Sequence, residues 1–446
     1  MLLPVLVRCA EHLAAAFAAL GGGALLAAAA CGGKSAAPAG VPYLDDASFR
    51  RSELVASLVN PENGYSALRL EHYATGDAND WDLLPEWNPA VDVVAASEID
   101  APGGASLEVM SPAAAPLTLP DGVTSEDDPA LVALGEQAFH RYPVQLAPYF
   151  GVALASRAAA ARYGVWVDDA AGVGGLVRAQ MANGRGEIAV TCATCHEAPV
   201  GGTLVPGRPN ASLALGQALL DASLEPFSDS YAAAVSAWGT GRLDVTTSAG
   251  TEPVRIADLR PVRWLSYLQA DASVKQLDRT VLAIRLETLI ITSHADALRP
   301  PRLVTLALAA YVASLADALP DVDAAAQASP QGAQVFAANC TPCHVPPALT
   351  GAPVPLAVVG TDPLLGESAV RGTGTYRVPS LHGVGTRGPL LHDGTVPSLE
   401  AMFDPARVTA GFTGKLHGTG AVQGHLFGLD LGDADRAALV EYLEAL

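Results

Sequence analysis

The chain has 446 residues, 50% of them hydrophobic and 16% charged, with a formal net charge of −20. That length allows two or three domains with buried cores, and the composition excludes a disordered chain. So acidic a protein is a poor candidate for nucleic acid, which calls for basic patches; its charge suits plain solubility or a basic protein partner.

Residues 1–31 read as an export signal. Arg8 is the early positive charge, Glu11 comes soon after it, and an Ala/Leu/Gly run from Leu13 to Ala30 ends at Cys31-Gly32-Gly33. Small residues before a cysteine and glycine after it resemble a lipoprotein signal, with Ala28 where leucine is usual. Lipidation of Cys31, plain cleavage and a retained anchor are the three open outcomes. Each places the body of the protein in the periplasm or otherwise outside the cytoplasm, with membrane contact only through that end. Residues 32–42 read as a flexible tether. With it, residues 43–125 complete an N-terminal region, 32–125, of irregular or mixed structure whose expected part is to brace the rest of the chain. Within it, the Pro, Gly and Ala of 101–122 read as a linker or surface loop.

A helix is predicted after Asp127-Asp128-Pro129, running through Leu131, Leu134, Gly135 and Phe139. Gly332 to Phe336 repeats its G-x-x-x-F pattern, in which the glycine admits a crossing helix at close range. The later ends of the two units match without a gap: His294 to Tyr311 and His425 to Tyr442 are both 17 residues, and each stretch closes in an apolar-periodic helix. The chain therefore reads as two tandem units, 126–320 and 321–446.

Cysteine usage says what the units carry. Four of the six cysteines stand in Cys192-Ala193-Thr194-Cys195-His196 and Cys340-Thr341-Pro342-Cys343-His344; Cys9 and Cys31 lie in the N-terminal apolar segment, so none is left for a disulfide. One C-x-x-C alone reads as a redox dithiol or half a zinc site. Two copies, each with histidine directly after it in an exported chain, read as covalent attachment of two haem c groups, with thioethers from the cysteines and proximal iron ligation by His196 and His344. The expected fold is mainly α, two tandem cytochrome c-like haem domains behind the N-terminal extension. The other face of each iron decides between electron transfer and catalysis. In cytochromes c its ligand comes from the loop before the last helix, where His294 and His425 stand. His425 has Met402 and His392 as alternatives. His294 reads as a ligand, as a distal acid/base, or as a helix-end residue without haem contact. His140 and Met181 are weaker candidates, His12 falls in the signal, and His72, His382 and His417 have no positional argument.

The run Tyr376-Arg377-Val378-Pro379-Ser380-Leu381-His382-Gly383-Val384, then Gly388-Pro389-Leu390-Leu391-His392-Asp393-Gly394-Thr395 and Ser398-Leu399-Glu400, resembles the bacterial di-haem cytochrome c peroxidase/MauG superfamily. That family shows R-V-P-S-L-R-N-V, A-P-Y-x-H-D-G and T-L-E. With both haem motifs the resemblance covers most of 126–446 and leaves 43–125 outside. It implies one high-potential haem that stores or relays electrons, one haem that reacts with peroxide, Trp264 as a relay between them, and a possible interdomain calcium ion. The chain departs from it at the second haem. Met402 falls about one turn earlier after H-D-G than the peroxidase methionine, and no tyrosine of the MauG kind stands nearby, which favours His425. A bis-histidine second haem looks more like the di-haem rubber oxygenases. Three functions stay open: a peroxidase fed by a small cytochrome c or cupredoxin, a pure electron carrier with His294 and His425 both ligating, and a MauG-like or rubber-oxygenase-like oxidase or dioxygenase.

Overall fold

Helix outweighs strand, 41% to 12%, in the computed structural model, which describes residues 40–224, 226–244 and 250–446. The export signal, Cys9, His12 and Cys31 lie outside the described residues. Helices α1 (Ala47–Ser57) and α2 (Gly64–His72) are capped by Asp46 and Asn63, whose side chains accept from the Phe49 and Ser66 amides. After β1 (Val91–Val93) comes α3 (Pro129–Arg141), capped by Asp128 with Pro129 in its first turn, as the sequence predicts. Strands β2 (Gln145–Leu146), β3 (Leu176–Gln180) and β4 (Gly186–Val190) join β1 in an antiparallel sheet ordered β1-β3-β4-β2. Helices α4 (Arg279–Ser293) and α5 (Arg302–Ser314) close the first half; α6 (Pro330–Asn339) and α7 (Asp433–Ala445) frame the second.

Two helix crossings hold these halves, and the repeated glycine makes both. A Cβ on Gly135 of α3 would stand 2.0 Å from the Ala307 carbonyl oxygen and 2.6 Å from Tyr311 Cβ on α5. A Cβ on Gly332 of α6 would stand 2.1 Å from Ala438 O and 2.6 Å from Tyr442 Cβ on α7. Four residues on from each glycine, Phe139 packs on Tyr311 and Phe336 on Tyr442, with ring centroids 5.4 and 5.3 Å apart. The tyrosines matched by the sequence repeat therefore occupy equivalent places against the two glycines.

The N-terminal region is not a separate appendage. Tyr43 and Tyr73 are fully buried in the same apolar cluster as α3, α4 and α5. Their hydroxyls donate to Glu287 Oε2 of α4 at 2.9 and 2.6 Å, and Arg302 lies 3.2 Å from the other carboxylate oxygen. The same region reaches the second half, where the Gly64 and Tyr65 amides and the Asn60 side chain donate to the carbonyls of Ala369, Val370 and Gly372. The stretch 101–122 also differs from a free linker. It runs along the sheet, with Val91 N donating to Ala115 O at 3.0 Å and Arg178 donating to Ser106 O at 2.8 Å.

Replacing either glycine by alanine forces the helices apart, so Gly135→Ala and Gly332→Ala should each cost about 1–3 kcal/mol in denaturant unfolding. Unchanged midpoints would show that the crossings are looser than described.

Candidate functional site

Strand β4 runs straight into the first C-x-x-C-H motif, which forms the short helix Cys192–His196. The hydroxyls of Thr191 and Thr194 donate to Gly175 O at 2.9 and 3.1 Å and pin that helix to the turn before β3. His196 Nδ1 donates to Ala257 O at 2.8 Å. A carbonyl can only accept, so the proton sits on Nδ1 and Nε2 keeps the lone pair that a metal would take. The second motif begins at the end of α6, and there His344 Nδ1 donates to Leu349 O at 3.1 Å, which fixes the same tautomer. Burial lowers both imidazole pKa values and keeps the rings neutral. This backbone bond at the far nitrogen is the usual support of a metal-bound histidine.

Both histidines and all four cysteines line one cavity of about 1100 Å³ that runs between the two halves. Single-ligand pockets hold about 300–1,000 Å³. Its walls are mainly leucine, valine and aromatic side chains. Burial pushes the thiols of Cys192 and Cys195 up to about 12 and that of Cys340 to about 11. Thiols held in that protonated form are poor redox dithiols at neutral pH, where reactivity needs the thiolate. Among the described residues no group of three or more His, Cys, Asp or Glu is placed to hold a metal ion. Two apolar macrocycles, each tied through two thioethers and one neutral histidine, fit these walls and donors.

His425 lines the cavity from the second half. Burial pushes its pKa down to about 4, with nearby His344 adding to the effect, and its Nδ1 has no hydrogen-bond partner. Its backbone is held in the left-handed region (φ 45°), a conformation that costs of order 1–3 kcal/mol in a residue other than glycine. Arg407, fully buried, keeps it there by donating to the carbonyls of Met402, Val422 and His425 at 2.8, 2.8 and 2.6 Å. His392 and Met402, its alternatives, line the same cavity, and His392 stacks on Tyr376 at 4.2 Å.

His294 stands apart from the cavity. It caps the C-terminus of α4, its ring packs edge-on against Trp87 at 4.9 Å, and its Nε2 lies 3.3 Å from Pro143 O. It is not among the residues that line the cavity. The equal spacing in the repeat did not carry over to side-chain direction, because α4 ends at Ser293 and the chain turns through left-handed Ala295 and Asp296; Asp296 faces the cavity instead. Trp264 does not line the cavity either. It stacks on His382 of the second half, centroids 3.7 Å apart and planes 15° from parallel. His140 is engaged by Glu136 O and Glu197, and Met181 lies in a surface turn; neither lines the cavity.

Sequence reasoning missed the polar seam between the halves. Residues 254–271 meet the stretch 371–393 that carries the family resemblance. Buried Asp258 pairs with Arg260 at 2.6 Å and Arg387 at 3.4 Å, and buried Asp271 with Arg371 at 3.0 Å. Burial alone would raise the Asp258 carboxyl, but Arg260 and Arg387 outweigh it and hold its pKa below the ordinary value. Arg377 stands in the R-V-P-S-L run, a signal that could have marked it; Arg255 has none.

No protein-family model matches the chain, and no curated protein is significantly similar to it.

Burial also pushes the His294 pKa down to about 4. The native ring stays neutral while the unfolded one takes a proton below about pH 6.5. Its contribution is whole above pH 6.5 and lost as pH falls toward 4, by roughly 3 kcal/mol in all. Denaturant unfolding at pH 7 and pH 5 should show a smaller loss for His294→Gln than for the wild type; equal losses would place the acid sensitivity elsewhere.

Proposed function

We propose that the protein is an exported di-haem c-type cytochrome of tandem cytochrome c-like units that couples electron transfer to the reduction of hydrogen peroxide. The observation that carries this reading is the shared cavity, lined by both C-x-x-C-H motifs with each histidine donating Nδ1–H to a backbone carbonyl. The asymmetry of its walls favours an enzyme over a pure carrier. The second half offers His425, His392 and Met402 besides His344, while among the described residues the first half offers no histidine or methionine besides His196. His344 and His425 would then hold the haem of the second half, while among the described residues His196 alone would hold that of the first, leaving room there for peroxide. When bound, the haems supply one-electron chemistry and, at an open face, peroxide activation. The overall reaction joins one peroxide, two electrons and two protons into two waters.

The chain's own residues do the rest. Arg407 and the left-handed backbone hold His425 in place, and the apolar walls limit water. Trp264 stacked on His382 makes an aromatic contact across the halves, suited to relaying an electron. Electron entry falls to the second half, where Val345, Leu426 and Phe427, each next or next but one to a motif or distal histidine, are 49%, 57% and 44% exposed. Residues 321–446 carry twelve acidic side chains against six basic ones, and Arg371, Arg387 and Arg407 are buried. A small cytochrome c or cupredoxin with a basic rim and an apolar centre complements that surface. Salt should slow its electron delivery, and Leu426→Asp with Phe427→Asp should slow it at least tenfold in stopped-flow reduction. Rates insensitive to both would remove this entry point.

The ferric wild type should show one high-spin and one low-spin haem, with only the high-spin signal responding to peroxide. His425→Gly should turn the low-spin haem high-spin, and His294→Gly should leave the spectrum unchanged. Two low-spin haems with no response to peroxide would sink the peroxidase reading. The MauG-like or rubber-oxygenase-like alternative shares the open face; an organic product formed with dioxygen would decide for it.

A further inference from the structure

Five arginines line the cavity, Arg255, Arg285, Arg371, Arg377 and Arg387, against three aspartates and no glutamate. In a chain of net charge −20 this is a local inversion. Arg371 and Arg387 are neutralised by Asp271 and Asp258. The other three form no ion pair among the described residues. Arg255 Nη1, Arg285 Nη1 and Arg377 Nε are buried and lack any hydrogen-bond partner. A buried cation without a partner destabilises the fold, so guanidinium groups at such places answer to an anion. Their planar forks match carboxylates in particular.

Their placement narrows the ligand further. Arg255 of the first half is tied to the second: its amide donates to His392 O at 3.0 Å and its Nε to Leu391 O at 2.8 Å. Arg377 of the second half is tied to the first through its amide and Ala270 O at 2.9 Å. Arg285 projects from α4, and its guanidinium lies 5.6 Å from the ring of Tyr65 in the N-terminal region. The three therefore converge on the seam where the two halves share one cavity.

We propose that Arg255, Arg285 and Arg377 form a carboxylate-binding seam that takes haem propionates at the junction of the two halves. This rests on the di-haem reading. The seam neutralises the acidic edge of each prosthetic group and completes the junction of the halves. A cation beside a haem favours the reduced, less positive form, so the seam also raises both reduction potentials.

The test uses the full holoprotein with Arg255→Gln, Arg285→Gln and Arg377→Gln, each beside its Lys counterpart. Haem content comes from the alkaline pyridine spectrum, midpoints from spectroelectrochemical titration, and the propionate bending modes from resonance Raman. The expected result is two haems per chain in every folded variant. At least one midpoint should fall by a tenfold change in the oxidised-to-reduced ratio, about 59 mV for one electron. The propionate mode should shift with it, and Lys should restore most of the midpoint. With three positions and both substitutions, one variant that fails to fold leaves the others to decide. Two haems per chain with midpoints and propionate modes unchanged in all Gln variants would overturn the seam. A wild type without covalent haem would instead overturn the di-haem reading beneath it.

Discussion

A cavity of about 1100 Å³ between two helix-paired halves sets the terms for the rest of the chain. The close crossings at Gly135 and Gly332 hold the walls, the sheet delivers Cys192–His196 to the cavity, and α6 delivers Cys340–His344. The two haems proposed for the cavity would be part of the fold's energetics as well as of its chemistry.

The walls are not symmetric, although the helices around them are. The last-helix tyrosines fall in equivalent places, yet His425 faces the cavity while His294 packs beneath Trp87. The difference lies in the two loops. At His425 the buried Arg407 collects three carbonyls and holds a left-handed backbone. At His294 the helix α4 has just ended at Ser293 with His294 as its cap, and the next residues, Ala295 and Asp296, take the left-handed turn instead. A repeated scaffold thus presents two different environments, one rich in histidine and methionine and one poor, which is what the proposed division between electron storage and catalysis requires.

Much of this was legible in the sequence for physical reasons. The motif histidines come after their cysteines at fixed spacing, so their place could be read directly. The G-x-x-x-F glycines were legible because only glycine allows so close a crossing. Side-chain direction at the end of α4 was not, since it depends on where the helix stops. The N-terminal region was unreadable because its anchors are long-range: Tyr43 and Tyr73 find Glu287 more than two hundred residues away. Arg255 and Arg285 escaped notice because a guanidinium without a carboxylate partner leaves no local pattern.

The central claim is that both motifs hold covalent haem. Intact-mass measurement of the exported protein, with Cys192→Ala/Cys195→Ala and Cys340→Ala/Cys343→Ala variants, tests it most directly. The account predicts a mass increase corresponding to two haems in the wild type and one in each double variant. A wild-type mass with no added haem would contradict it.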